Sequence, residues 1–213
     1  MAIIWPCPLS VEAYAAAGKG VLVPRQRCPG CGDWMVFWSG YGRFVRSGSV
    51  CCIWVRRARC RRCRRSHSLL PSFCLLGRLD VVEVIVPTVA AVGKGSGVRK
   101  LADAGGVPHT TARSWWRRYR RRAALLLSAV VAGAAAVGVV LSGLTGVAEV
   151  DAVQGWEAVG VTVSGEVGVG VWAAVSLLSA GAWLSTTMNT PWAADPEWRL
   201  MLVMVKHCSR VPP

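Results

Sequence analysis

The stretches RCPGCG at 27–32 and RCRRCRRSH at 59–67 decide how this chain is read. Each contains a Cys-x-x-Cys pair, Cys28/Cys31 and Cys60/Cys63, and 28 residues separate the pairs. A two-residue gap lets one tight turn aim two thiolates at a single ion, and two such turns complete a tetrahedral four-sulfur site. Four thiolates leave no open coordination position, so the expected cofactor is a structural Zn2+ that clips two distant segments together. Cys51, Cys52 and His67 are second-choice ligands, since Cys63-x3-His67 is also a ligand spacing. Nine cysteines, four of them in paired form, fit a reducing compartment and metal binding better than a disulfide framework.

Outward from the cysteines, charge is distributed unevenly. Residues 1–122 hold 22 Lys and Arg against 5 Asp and Glu, whereas 123–213 hold 3 against 6. The net charge of +14 therefore belongs to the first part of the chain. Such a field draws polyanions, because neutralising each phosphate releases condensed counterions. Arg56, Arg57, Arg59, Arg61, Arg62, Arg64 and Arg65 place seven guanidiniums in ten residues around the second cysteine pair. A one-signed run of that density repels itself unless an anion lies nearby, which makes these residues the expected phosphate contacts.

Between the pairs, WMVFW (34–38), RFVR (43–46) and VCCIWVRR (50–57) alternate with SGYG (39–42) and SGS (47–49). Aromatic and β-branched runs bounded by Gly and Ser predict short antiparallel strands and turns, giving a zinc ribbon over 25–76. The simplest reading of Trp34, Phe37, Trp38 and Trp54 is a small core beside the metal; a base-stacking surface is the functional alternative. Residues 1–24 read as a loosely structured leader without a signal peptide, since a basic n-region is lacking and Glu12 interrupts the apolar stretch.

Residues 80–122 read as three helices: Val81–Val92 with Asp80 as its cap, Val98 to about Ala104, and a third opened by Pro108 and running to about Arg122. The segment VRKLADAGGVPHTTARSWWRRYRRR (98–122) fits a helix-turn-helix. Ala102 falls at the helix crossing, Gly106 and Val107 at the turn, and Leu101, Ala112 and Trp115 at core positions. His109, Thr110, Arg113, Ser114 and Arg117 then point outward where a recognition helix meets base edges, followed by phosphate contacts from Arg118, Arg120, Arg121 and Arg122.

After Arg122 no charge occurs up to Ala148, and 167–188 is a second uncharged stretch. Both are long enough to cross a bilayer, but Gly133, Gly138, Gly143, Gly146 and many Ala dilute the hydrophobicity of the first, so 123–213 is expected to be an apolar, mainly helical tail. The acidic residues of the tail have no visible framework to gather them, and GKGSG at 93–97 lacks phosphate-loop spacing, so no catalytic constellation is visible and no enzyme is expected.

RCPGCG, VRRARCRRCRRSHSLLPSF and GVRKLADAGGVPHTTARSWWRRYRR together resemble a family of uncharacterised bacterial proteins that join a zinc ribbon to a helix-turn-helix. These are similar to the DNA-binding front end of insertion-sequence transposases. The resemblance covers about 25–122, and the family pattern falls on Cys28, Cys31, Cys60, Cys63, His67, Leu70 and Pro71. It implies DNA binding without implying transposition, because no catalytic core follows.

The expectation is thus an α+β chain of leader (1–24), zinc ribbon (25–76), helix-turn-helix (80–122) and apolar tail (123–213) that binds double-stranded DNA sequence-specifically. A homodimer and a cytoplasmic, nucleoid-associated location accompany that reading. The alternatives are a regulator anchored in the inner membrane through 123–148, and an accessory or remnant of a mobile-element transposase.

Overall fold

The computed structural model describes residues 2–181, 183 and 184. The chain is α+β, with a four-stranded mixed sheet and seven α-helices among the described residues. Its spine is a hairpin of β2 (Met35–Ser47) and β3 (Ser49–Cys60), turned at Gly48 with φ +74°. The predicted turn at SGS forms. The predicted turn at SGYG does not: β2 runs straight through it, with one register shift between Phe37 and Ser39. A Cβ on Gly40 would lie 2.6 Å from Trp54 Nε1, and one on Gly42 would lie 3.0 Å from Cys52 Sγ. The two glycines make room for cross-strand side chains rather than for a reversal.

The third strand, β4 (Ser66–Pro71), pairs antiparallel with β3 and parallel with β1 (Ala2–Trp5), giving the order β1-β4-β3-β2. The expected loose leader is therefore part of the fold. Ile4 and Trp5 are buried, and helix α1 (Val11–Ala17), capped by Ser10, buries Val11 and Tyr14. Tyr14 donates its hydroxyl to the Trp54 carbonyl and meets Phe73 edge-on. A four-residue strand is too short to announce itself in sequence; the SLLP segment of β4 holds it in place.

Helix α2 (Val82–Gly93) starts one residue later than expected, and Asp80 does not cap it. The Asp80 carboxylate is buried and accepts a bidentate pair from Arg46, 2.6 Å from Nε and 3.1 Å from Nη2, tying the hairpin to the helical half. Helices α3 (Val98–Ala104) and α4 (His109–Arg120) follow, separated by Gly105–Pro108 with Gly106 at φ +62°. Pro108 stands at the cap of α4, just before its first turn.

The tail forms α5 (Ala123–Val137), α6 (Ala148–Val167) and α7 (Val171–Leu178), all drawn into one continuous hydrophobic core with the sheet and α2–α4. Gly155 faces Val130 and Gly160 faces Val175, with hypothetical Cβ contacts of 2.9 and 2.8 Å, so the glycines of α6 let α5 and α7 approach its backbone closely. Trp156 Nε1 donates to the Leu126 carbonyl, Tyr119 Oη to the Glu149 carbonyl, and Ser176 Oγ to the Cys74 carbonyl. These bonds join α6 to α5, α6 to α4, and α7 to the ribbon. No single described helix is long and apolar enough to cross a membrane; α6 and α7 reach that measure together but are bent by 99°. The last part of the second uncharged stretch, 185–188, lies outside the described residues.

Candidate metal centre and basic surface

The two cysteine pairs sit on matching turns. In the first, the Cys28 amide donates to the Asp33 carbonyl and the Gly32 amide returns to the Cys28 carbonyl; in the second, Cys60 donates to Arg65 and Arg64 returns to Cys60. The equivalent fifth positions, Gly32 and Arg64, both adopt left-handed backbone, at φ +74° and +63°. Glycine takes that conformation freely. Arg64 takes it at a cost, on the turn with the highest density of positive charge.

The turns bring four sulfurs together. Cys28 and Cys63 Sγ are 3.4 Å apart, as are Cys31 and Cys60 Sγ, and all four atoms lie within 4.8 Å of one another. A tetrahedral zinc with bonds of about 2.3 Å requires sulfurs about 3.8 Å apart, within the range found. The donor set fits Zn2+, and the four cysteines named from their spacing are the ones that converge.

Local electrostatics favour thiolates at one corner. The amide of Cys63, seconded by that of Arg62, brings the Cys60 thiol down to about 7. Burial pushes Cys28 up to about 11 against the pull of the Gly30 amide. At Cys31 the Asp33 amide pulls down, but the neighbouring Cys60 sulfur and burial leave the thiol above its ordinary value. Four close sulfurs cannot all ionise without a cation between them, so a metal would displace protons as it binds.

The second-choice ligands stand elsewhere. Cys51 and Cys52 lie near the start of β3, at the opposite end from Cys60, and Cys52 packs over Gly42. His67 lies on β4 opposite Ala58, 1% exposed, with neither ring nitrogen hydrogen-bonded. Burial, followed by the positive charges nearby, pushes its pKa down.

The arginine run divides. Arg59, Arg61, Arg62, Arg64 and Arg65 are exposed around the second turn and make no ion pair among the described residues. Arg65 reaches back over the first turn, its guanidinium against Gly30. Arg56 and Arg57 are half-buried and committed locally: Arg56 donates to the Lys19 carbonyl and lies over Phe37, and Arg57 lies over Trp38. On α4, Ala112, Trp115 and Tyr119 face inward, with Ala102 and Val107 buried beside them; Leu101 is half-buried. His109, Thr110, Arg113, Arg117, Arg120 and Arg121 are exposed. Ser114 is half-buried and accepts from Arg118, and Arg122, expected as a phosphate contact, is buried with 6% exposure.

One expectation is reversed. Trp34, Phe37 and Trp38 do not form a core beside the metal; they are 43%, 39% and 52% exposed. Their neighbours show why: Cys28, Met35, Ala58 and Cys60 fill the interior at that end of the hairpin. Trp54 is half-buried, with Gly40 against its ring and Lys19 Nζ 4.7 Å from its ring centroid.

No curated protein and no solved structure matches the chain. Residues 28–100, from the first metal-site cysteine into α3, are similar to a domain of unknown function, DUF6431.

Proposed function

We propose that this protein is a sequence-specific duplex DNA-binding protein in which a structural zinc holds an arginine clamp while α4 reads the major groove. The observation that carries the proposal is the set of five exposed arginines, Arg59, Arg61, Arg62, Arg64 and Arg65, displayed on and beside a metal-site turn without acidic partners among the described residues. A guanidinium on a rigid turn loses little freedom when it meets a phosphate, and such contacts fix position and register. The exposed His109, Thr110, Arg113 and Arg117 on the first half of α4 supply donors of the kind that read base edges. Helices α3 and α4, joined through Gly105–Pro108 and packed on α2, supply the supports that a helix-turn-helix requires. A homodimer would carry two α4 helices to half-sites on one face of the duplex.

Zinc-loaded full-length protein, offered a random pool of duplexes, is expected to enrich one sequence, with affinity falling steeply as salt rises and lost on chelation. Arg113→Ala is expected to weaken the selected site by about 1–3 kcal/mol while leaving random duplex nearly unchanged. Equal losses on selected and random DNA would refute base reading by α4. Duplex binding that survives removal of the metal would refute the clamp.

A further inference from the structure

Five large aromatic side chains stand outward along one stretch of chain: Trp34, Phe37, Trp38, Tyr41 and Phe44, with exposures of 43, 39, 52, 38 and 65%. Four belong to β2, and Trp34 immediately precedes it. The β3 ladder sets Phe37 and Phe44, opposite Ala58 and Cys52, on one face and Tyr41, opposite Val55, on the other, so the rings are divided between two faces; burying rings of this size is nonetheless strongly favourable. Strand β2 is also the edge of the sheet, so beyond the β3 ladder its other side has no strand partner among the described residues. That edge is met at both ends, where the Met35 amide donates to the Gln26 carbonyl, the Arg46 amide to the Leu79 carbonyl and the Val81 amide to the Arg46 carbonyl, and its middle lies open among the described residues.

The cations around these rings indicate what the surface meets. Arg25 and Arg27 lie 5.7 and 4.4 Å from the Trp34 centroid, Arg56 lies 5.4 Å from Phe37, and Arg57 lies 5.4 Å from Trp38. Between residues 25 and 65 there are eleven arginines and one acid, Asp33. A second copy of the chain would bring the same arginines against these, and an ordinary peptide strand would leave them unneutralised. A single strand of nucleic acid satisfies both features, since its bases are flat π surfaces and its phosphates are anions.

We propose that the end of β2 around Trp34 and Trp38 is a base-stacking platform for unpaired nucleotides, in which the two rings each take a base and the adjoining guanidiniums hold the phosphates. Trp54 is not part of it, because it is half-buried, with Gly40 directly against its ring. The platform is independent of the duplex-reading proposal: it uses a different element and different chemistry, and either stands without the other. Phosphate attraction alone would favour a duplex, with its higher charge density, over a single strand. Stacking reverses that preference at this face, because duplex bases are already stacked on one another.

The test uses zinc-loaded full-length protein with fluorescein-labelled (dT)20, (rU)20, an abasic deoxyribose 20-mer and a 20-base-pair duplex, followed by anisotropy. Both base-bearing single strands are expected to bind at least about tenfold more tightly than the abasic strand. Trp34→Leu and Trp38→Leu, which preserve apolar bulk at exposed positions, should each weaken (dT)20 roughly tenfold and change duplex affinity less than twofold, while Trp38→Phe retains most of the binding. A preference between the thymidine and uridine strands supports the platform and shows which nucleotide it favours. Equal affinity for abasic and base-bearing strands overturns it, as does an equal loss on single strand and duplex. Self-association abolished by Trp38→Leu, with no single-strand binding, overturns it in favour of an interface between copies. Zinc content and melting temperature, measured on each variant, separate lost stacking from lost fold.

Discussion

Replacing Arg64 with glycine should make the protein more stable and a weaker DNA binder at the same time. Arg64 holds φ +63° at the position where the matching turn has Gly32. Left-handed backbone costs a residue with a Cβ on the order of 1–2 kcal/mol. Glycine removes that cost but gains unfolded-state freedom worth about 0.5–1 kcal/mol, leaving a net stabilisation of about 0.5–1 kcal/mol. For a chain of this size that raises Tm by about 2 °C. Loss of one phosphate contact should make the slope of log affinity against log salt shallower by about 0.9. The wild-type advantage in DNA affinity should therefore shrink about three- to fourfold between 50 and 200 mM salt. Calorimetry in saturating zinc reads the first effect, and a salt titration of duplex binding reads the second. Arg64→Lys is the control, keeping both the charge and the strained backbone. A lower Tm for the glycine variant would refute the strain argument. A higher Tm with an unchanged salt slope would show that Arg64 touches no phosphate.

Three other perturbations probe the frame around the site. Gly40→Ala puts a methyl group 2.6 Å from Trp54 Nε1 and should cost about 1–3 kcal/mol in urea denaturation, whereas Gly20→Ala, with nothing within 4 Å, should change stability by less than about 0.5 kcal/mol. Tyr119→Phe leaves the Glu149 carbonyl without its 2.7 Å donor and should cost about 1–2 kcal/mol, with zinc stoichiometry unchanged. Asp151 is held below the usual carboxylate range by the amide of Thr145, then by the Thr145 hydroxyl and the Gly146 amide. Its stabilising effect is present above about pH 4 and lost as pH falls through the lower folded value, so Asp151→Asn should flatten the acid limb of the stability profile below about pH 4. An acid limb of unchanged slope would place that sensitivity elsewhere.

The sequence alone determined the features that rest on short-range geometry. Two residues between cysteines fix a chelating turn whatever surrounds it, and Cys28, Cys31, Cys60 and Cys63 converge as their spacing required. Gly48 and Gly106 hold left-handed backbone where the chain turns, and the α3 and α4 boundaries lie to either side of Gly106. Tertiary structure decided whatever depends on a distant partner. Ala2–Trp5 becomes a strand only beside Ser68–Pro71, and SGYG stays extended only because Trp54 and Cys52 fill the space above its glycines. Asp80, placed where a cap belongs, is claimed by Arg46 from 34 residues away. In α6, Gly155 and Gly160 are the points where α5 and α7 press against its backbone, a role that depends on those distant partners. The same holds for the aromatics of β2, whose composition suits a core as well as a surface. Their exposure follows from which neighbours had already filled the interior, and that is a property of packing rather than of any local run of residues.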